Sequence, residues 1–117
     1  MLLSDGELNE GSVWEAALFA GHHRLESLLA IVDVNGWQSF GRTSEVLNLE
    51  PLSEKWIAFG WSVREVDGHD IPALTAVLGE FPFAFGRPSI LLAKTVKGKG
   101  VSFMENSLAW HYRSPDA

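Results

Sequence analysis

With 117 residues, 46% of them hydrophobic and 11% aromatic, the chain is long and apolar enough to bury one core, which argues against disorder and for a single domain over 1–117. A formal charge of −6 argues against binding nucleic-acid backbones, which takes clustered Lys and Arg. The absence of cysteine excludes disulfides and thiolate metal sites, no stretch reaches the ~20 apolar residues of a membrane span, and Met1-Leu2-Leu3 is too short for a signal peptide, so a soluble cytoplasmic protein is expected.

Residues 1–4 form the first expected strand. Because the chain enters it with no preceding segment, it is expected to begin inside a buried strand, with upstream sequence missing or supplied by another chain. Residues 10–22 follow as a helix. Val13, Trp14, Ala17, Leu18 and Gly21 share one side at three- and four-residue spacing, and Ser12 with Glu15 has the register of a capping box. Residues 28–34 are a second, nearly all-apolar strand, and 35–51 a long loop. Residues 52–59 give a short helix with Trp56 and Phe59 on one face, closed by Gly60 in the left-handed region. Residues 61–66 are the third strand. Residues 71–80 give a third helix, with Asp70 as N-cap and Pro72 in its first turn. Residues 88–94 are the fourth strand, and 95–117 a tail without periodicity. Apolar strands alternating with helices predict a doubly wound α/β domain, with a mainly parallel sheet of about four strands joined by right-handed crossovers.

Ligands of such sheets bind beyond the carboxyl ends of the strands. There the chain places Ser4-Asp5-Gly6-Glu7, Asp33-Val34-Asn35-Gly36, Asp67-Gly68-His69-Asp70 and Thr95-Val96-Lys97-Gly98. Asp5 and Asn35 could offer a carboxylate and an amide oxygen to a hard divalent cation, and Gly6 could let backbone approach a phosphate at the following helix start. Asp-Gly and Asn-Gly are equally turn signals. His69 reads as support for a turn or cap, His22 and His23 as helix-end cations, and Trp14, Trp56, Phe59 and Trp61 as core.

The segment from Ser4 through Asp5-Gly6-Glu7-Leu8-Asn9-Glu10-Gly11 to Ala16, with Asn35 thirty residues beyond Asp5, resembles the thiamine diphosphate motif of transketolases. The likeness continues through Asp33, Leu49-Glu50-Pro51, Glu65-Val66-Asp67-Gly68-His69-Asp70, the run from Lys94 to Asn106, and Trp110-His111. It is similar to the small subunit of split two-chain transketolases, truncated at its N-terminus. The resemblance implies a thiamine diphosphate-binding fold of the diphosphate-domain type. It implies Asp5, Asn35 and the Trp37 carbonyl as ligands of Mg2+ (or Ca2+), with Gly6, Glu7, Asn35 and Lys97 at the cofactor. It further implies His111 facing substrate as the catalytic candidate, and Glu10 and Glu15 near a subunit interface.

The implied function is part of an enzyme that transfers a two-carbon ketol unit between sugar phosphates. A partner chain would supply the pyrimidine-binding domain and upstream loop, in a homo- or hetero-oligomer without nucleic acid or membrane. The alternative is a catalytically inactive scaffold derived from such an enzyme. Two departures stand out: Ser4 replaces the first glycine of the motif, and Tyr112 follows His111 where glycine is usual.

Overall fold

The computed structural model describes residues 1–115. Strands β1 (Leu2–Ser4), β2 (Leu29–Val34), β5 (Ser62–Asp67) and β6 (Ser89–Lys94) form one parallel sheet in the order β1-β2-β6-β5. A hairpin of β3 (Trp37–Gln38) and β4 (Gly41–Arg42) stands apart from it. Helices α1 (Gly11–His22), α2 (Thr43–Val46), α3 (Leu52–Ala58) and α4 (Ile71–Leu78) fill the connections.

The predicted α/β class is the fold observed. The path runs β1 to β2 through α1, on to β5 through α3, then back to β6 through α4. Right-handed crossovers therefore put α1 and α3 on one face and α4 on the other. Ala30 and Val32 of β2 and Ile90 and Leu92 of β6 pack with Ala17 and Ala20 of α1 and Leu52 and Trp56 of α3. Leu91, between two residues of that core, is also fully buried, so β6 is covered on both faces. Each Val, Leu or Ile among them contributes roughly 1.5–3 kcal/mol by leaving water.

Four details differ from expectation. Helix α1 begins at Gly11 with Glu10 as its cap residue, so Ser12 lies inside it and caps nothing. The reason is the 3-10 turn Gly6–Asn9, which delivers Glu10 so that its carbonyl already accepts the Val13 N–H at 3.1 Å. Leu18 points outward, 57% exposed, and Ala20 takes its place in the core, because small residues let α1 approach the sheet closely. Strand β1 is an edge strand paired only with β2, and Met1 and Leu2 are exposed; within this chain the first strand is not buried. The 35–51 region also carries more structure than a loop, namely the β3–β4 hairpin and α2.

Gly60 closes α3 as expected. With φ of 88°, it donates its N–H to Ile57 O at 2.9 Å, and Trp61 donates to Trp56 O at 3.1 Å, the paired bonds of a Schellman motif. Asp70 caps α4 by accepting the Ala73 N–H at 2.9 Å. Trp14, Trp56 and Trp61 form one aromatic cluster, with centroids 5.2 and 5.0 Å apart along the chain of contacts. The Trp61 indole N–H donates to Ala17 O at 2.9 Å, tying the residue that leads into β5 to α1.

The register aligns the strand ends. Ser4 lies opposite Asp33, Asp33 opposite Ala93, and Val34 and Asp67 flank Lys94. The polar residues that follow the strands consequently gather along one edge of the sheet.

Candidate functional site

A cleft of about 500 Å³ opens at that edge. Gly6 and Glu7 line it from the turn after β1, Asn35 and Trp37 from the segment after β2, and Lys97 and His111 from the segment after β6. Thus six of the seven site residues expected from the sequence share one cavity. Asp5 is the seventh and does not line it, being buried with 1% exposure between Ser4 and Gly6.

The surroundings of Asp5 are unusual. One carboxylate oxygen accepts the Gly36 N–H at 2.6 Å, and the other is buried with no hydrogen-bond partner. Burial pushes its carboxyl above the usual carboxylate range. The backbone N–H groups of Gly36, Gly6 and Asn35 pull it the other way, and the nearby Asp33 adds to the rise. A buried acceptor left open is costly unless something supplies positive charge. Asn35 bends the chain beside it, its side-chain oxygen accepting the Trp37 N–H at 2.9 Å as an Asx-type turn. Asp33 orients that amide: it accepts Asn35 Nδ2 at 3.4 Å on one oxygen and the Thr95 hydroxyl on the other.

The oxygens of Asp5 and Asn35 and the neighbouring backbone carbonyls are hard donors of the kind Mg2+ and Ca2+ prefer. Among the described residues no group of three His, Cys, Asp or Glu side chains could hold a metal ion. A mixed set of this kind would therefore leave coordination positions to a ligand's phosphate oxygens. The donor chemistry and the open Asp5 oxygen fit a metal-bridged diphosphate.

Gly6 is where backbone must come close. A Cβ there would stand 3.0 Å from Gln38 Cβ, so the turn and the hairpin abut without room for a side chain. Glu7 is otherwise engaged. Its carboxylate accepts the Ser4 N–H at 2.7 Å and the Ser4 hydroxyl at 3.1 Å, while its own N–H donates to Ser4 Oγ at 3.3 Å. That is the reciprocal pattern of a capping box. The Ser-x-x-Glu signal stands on either side of the start of α1, and the fold uses Ser4–Glu7 rather than Ser12–Glu15. The serine at the motif's first glycine position therefore has a defined local role.

Across the cleft, Lys97 Nζ lies 3.3 Å from His111 Nδ1. Tyr112 sets its ring edge-on to His111, centroids 4.8 Å apart, and its hydroxyl donates to Ser39 O at 2.9 Å, strapping the tail to the hairpin at the cleft mouth. The Trp37 ring lies under the Arg42 guanidinium, 4.4 Å from its centroid, and its indole N–H reaches Asn106 Oδ1 at 3.4 Å. Glu10 lines the cleft, whereas Glu15 sits with Leu18 and Phe19 on the outer face of α1. His69 lies away from the cleft, as its reading as a turn support implied.

Sequence reasoning missed Gln38. It lines the cleft, and its side-chain Nε2 is buried without a partner. A polar residue next to Trp37 in a segment already suspected of ligand contact was the available signal.

A parallel α/β sheet with a polar cleft beyond the carboxyl ends of its strands is the arrangement in which α/β domains bind their ligands. A family model described as the thiamine diphosphate binding domain of transketolase matches residues 1–114, and the chain belongs to that family. It is 47% identical over 110 residues to the 6-deoxy-6-sulfo-D-fructose transketolase subunit of Clostridium sp. (strain MSTE9), a match covering 94% of this chain and 40% of that protein. It is 39% identical to one of the subunits of the apulose-4-phosphate transketolase of Phocaeicola vulgatus, across 100% of this chain and 42% of that one. Among solved structures, transketolase from Campylobacter jejuni superposes with a TM-score of 0.85 at 30% identity, over 92% of this chain and 17% of that one. The chain thus spans about two-fifths of the length of these two curated relatives.

Proposed function

We propose that residues 1–117 form one diphosphate-and-metal-binding domain of a cytoplasmic transketolase-type enzyme, completed by a partner chain that brings the pyrimidine-binding domain. The observation that carries this reading is the buried Asp5 carboxylate, with one oxygen unpartnered, set beside Asn35 at the ends of adjacent strands. Asp5, Asn35 and the Trp37 carbonyl would hold Mg2+ or Ca2+. Gly6 would admit the diphosphate to the backbone, with Lys97 and the free donor of Gln38 as its further partners. Glu7 would act through Ser4, shaping the turn rather than touching ligand. Thiamine diphosphate, when bound, supplies the stabilisation of carbanion chemistry that ketol transfer takes. His111, held against Lys97 and Tyr112 at the mouth, would face the sugar. The sugar-derived names of the two bacterial relatives support a sugar phosphate as substrate.

Calorimetric titration of the chain, alone and with a candidate partner, tests the reading. Asp5→Ala and Asn35→Ala are expected to weaken magnesium-dependent binding of thiamine diphosphate by at least ~10-fold, since even indirect metal-site partners are worth that much. Equal binding by parent and variants would rule the metal site out. A scaffold reading draws on the exposed Leu18 and Phe19 of α1, an apolar pair suited to a partner surface. Self-association with no cofactor heat in any combination would favour it.

A further inference from the structure

The turn after β5 and the segment after β6 meet at a contact that the functional reading does not use. His69 Nε2 accepts the N–H of Val96 at 2.8 Å. The His69 backbone N–H donates to Asp67 Oδ1 at 2.9 Å, which shapes the turn that presents the ring. Gly68 donates its N–H to Lys94 O at 2.7 Å, and a Cβ at position 68 would come within 2.5 Å of Thr95 Cγ2. The turn is therefore pressed directly on the end of β6. On the other side, Thr95 donates its N–H to Val34 O at 3.1 Å and its hydroxyl to Asp33. The residue after Val96 is Lys97, whose ammonium lies beside His111 at the cleft. The origin of the lysine arm is thus held at two consecutive residues, Thr95 by β2 and Val96 by His69.

The bond also fixes the state of the ring. A nitrogen that accepts an N–H must carry a lone pair, so Nε2 is unprotonated and the ring proton of the neutral imidazole sits on Nδ1. A second proton on Nε2 would set one N–H against another. We propose that His69 is a positioning residue that clamps the Lys97 arm over the cleft and lets it go when the imidazole takes up its second proton.

The charged groups around it are few. Asp67 and Asp70 belong to its own turn, and Lys94 and Lys99 come from the end of β6 and the segment beyond. Lys94 is paired with Glu65 at 2.8 Å. The Val96 bond exists only with the ring in its neutral form. The clamp is accordingly closed at the alkaline end of imidazole titration and opens on acidification.

The clamp stands on its own geometry, whereas its consequence for the cofactor rests on the functional reading above. The test follows the Val96 amide by NMR in the full chain without ligand, from about pH 5 to 8, where imidazoles change charge. The Val96 N–H signal is expected to move together with the His69 ring signals, and its protection from hydrogen exchange to fall about five-fold as the ring protonates, the worth of one exposed hydrogen bond. His69→Gln, whose Oε1 accepts without titrating, keeps the protection and loses its pH dependence. His69→Ala loses the protection at every pH. A Val96 amide indifferent to the ring's titration, or as protected in His69→Ala as in the parent, overturns the clamp.

Thiamine diphosphate titrations with magnesium then read the consequence. Parent affinity should fall about five-fold more than that of His69→Gln on acidification. Parallel profiles for the two overturn the step from clamp to cofactor. Failure of every form to bind thiamine diphosphate counts against the functional reading, while the Val96 signal still decides the clamp.

Discussion

Ser4 and Glu7 show how a departure from a family pattern is absorbed locally. Where the motif's first glycine would leave the turn to the backbone, the serine hydroxyl accepts the Glu7 N–H and the glutamate returns the bond to the Ser4 N–H. Ser4→Ala is expected to cost about 1 kcal/mol in urea unfolding, the usual value of a cap, and Ser4→Gly slightly less. Asp5 poses the opposite problem, a carboxylate that the free fold accommodates poorly. Its folded carboxyl titrates above its unfolded one, so its contribution to stability is full at acid pH and is lost as pH rises through the raised value. Asp5→Asn keeps an acceptor for the Gly36 N–H and removes the buried charge. At neutral pH it should stabilise the ligand-free chain by about 1 kcal/mol, a few degrees in Tm, while abolishing magnesium-dependent cofactor binding. A variant that both melts lower and binds as the parent does would show that the charge has no such function.

Elements meet closely where side chains are absent. Gly21 of α1 lies against the end of α3 so tightly that a Cβ would fall 1.9 Å from Phe59 O, a backbone atom that cannot swing aside. Gly60, one residue further on, has φ of 88° and carries the bonds that close α3. Gly21→Ala must pry two helices apart and is expected to cost about 2–3 kcal/mol. Gly60→Ala pays for the left-handed backbone alone, about 1 kcal/mol. Chemical denaturation of both variants checks the order, and a smaller loss at position 21 would mean that the two helices slide past each other freely. The Gly60 stop was readable because it is written in local chemistry. The role of Gly21 was not, because its partner is 38 residues away (59 − 21).

At the scale of the molecule, the sheet edge couples a buried acid to a ligand. Magnesium and thiamine diphosphate together should stabilise the fold by about 2.7 kcal/mol at a hundredfold excess over Kd, raising Tm in a concentration-dependent way, with little effect from either alone. The gain should shrink on acidification, because the proton and the ion compete for an Asp5 carboxyl that burial has made easier to protonate. Thermal melts across pH with and without the pair measure this; a gain that persists undiminished once the carboxyl is protonated would place the ion elsewhere.

The sequence by itself determined the alternation of strands and helices, the parallel class of the sheet, the stop at Gly60, the cap at Asp70 and the set of polar residues at the strand ends. All of these depend on hydrophobic period or on chemistry within a few residues. Tertiary structure alone decided that Leu18 faces out and Ala20 in, and that β1 is an edge strand. It also decided that Asp5 lies beneath the cleft with an oxygen unpartnered, and that His69 reaches Val96 across 27 residues. Those outcomes depend on strand register and helix approach, which bring distant segments together and cannot be read from any one of them.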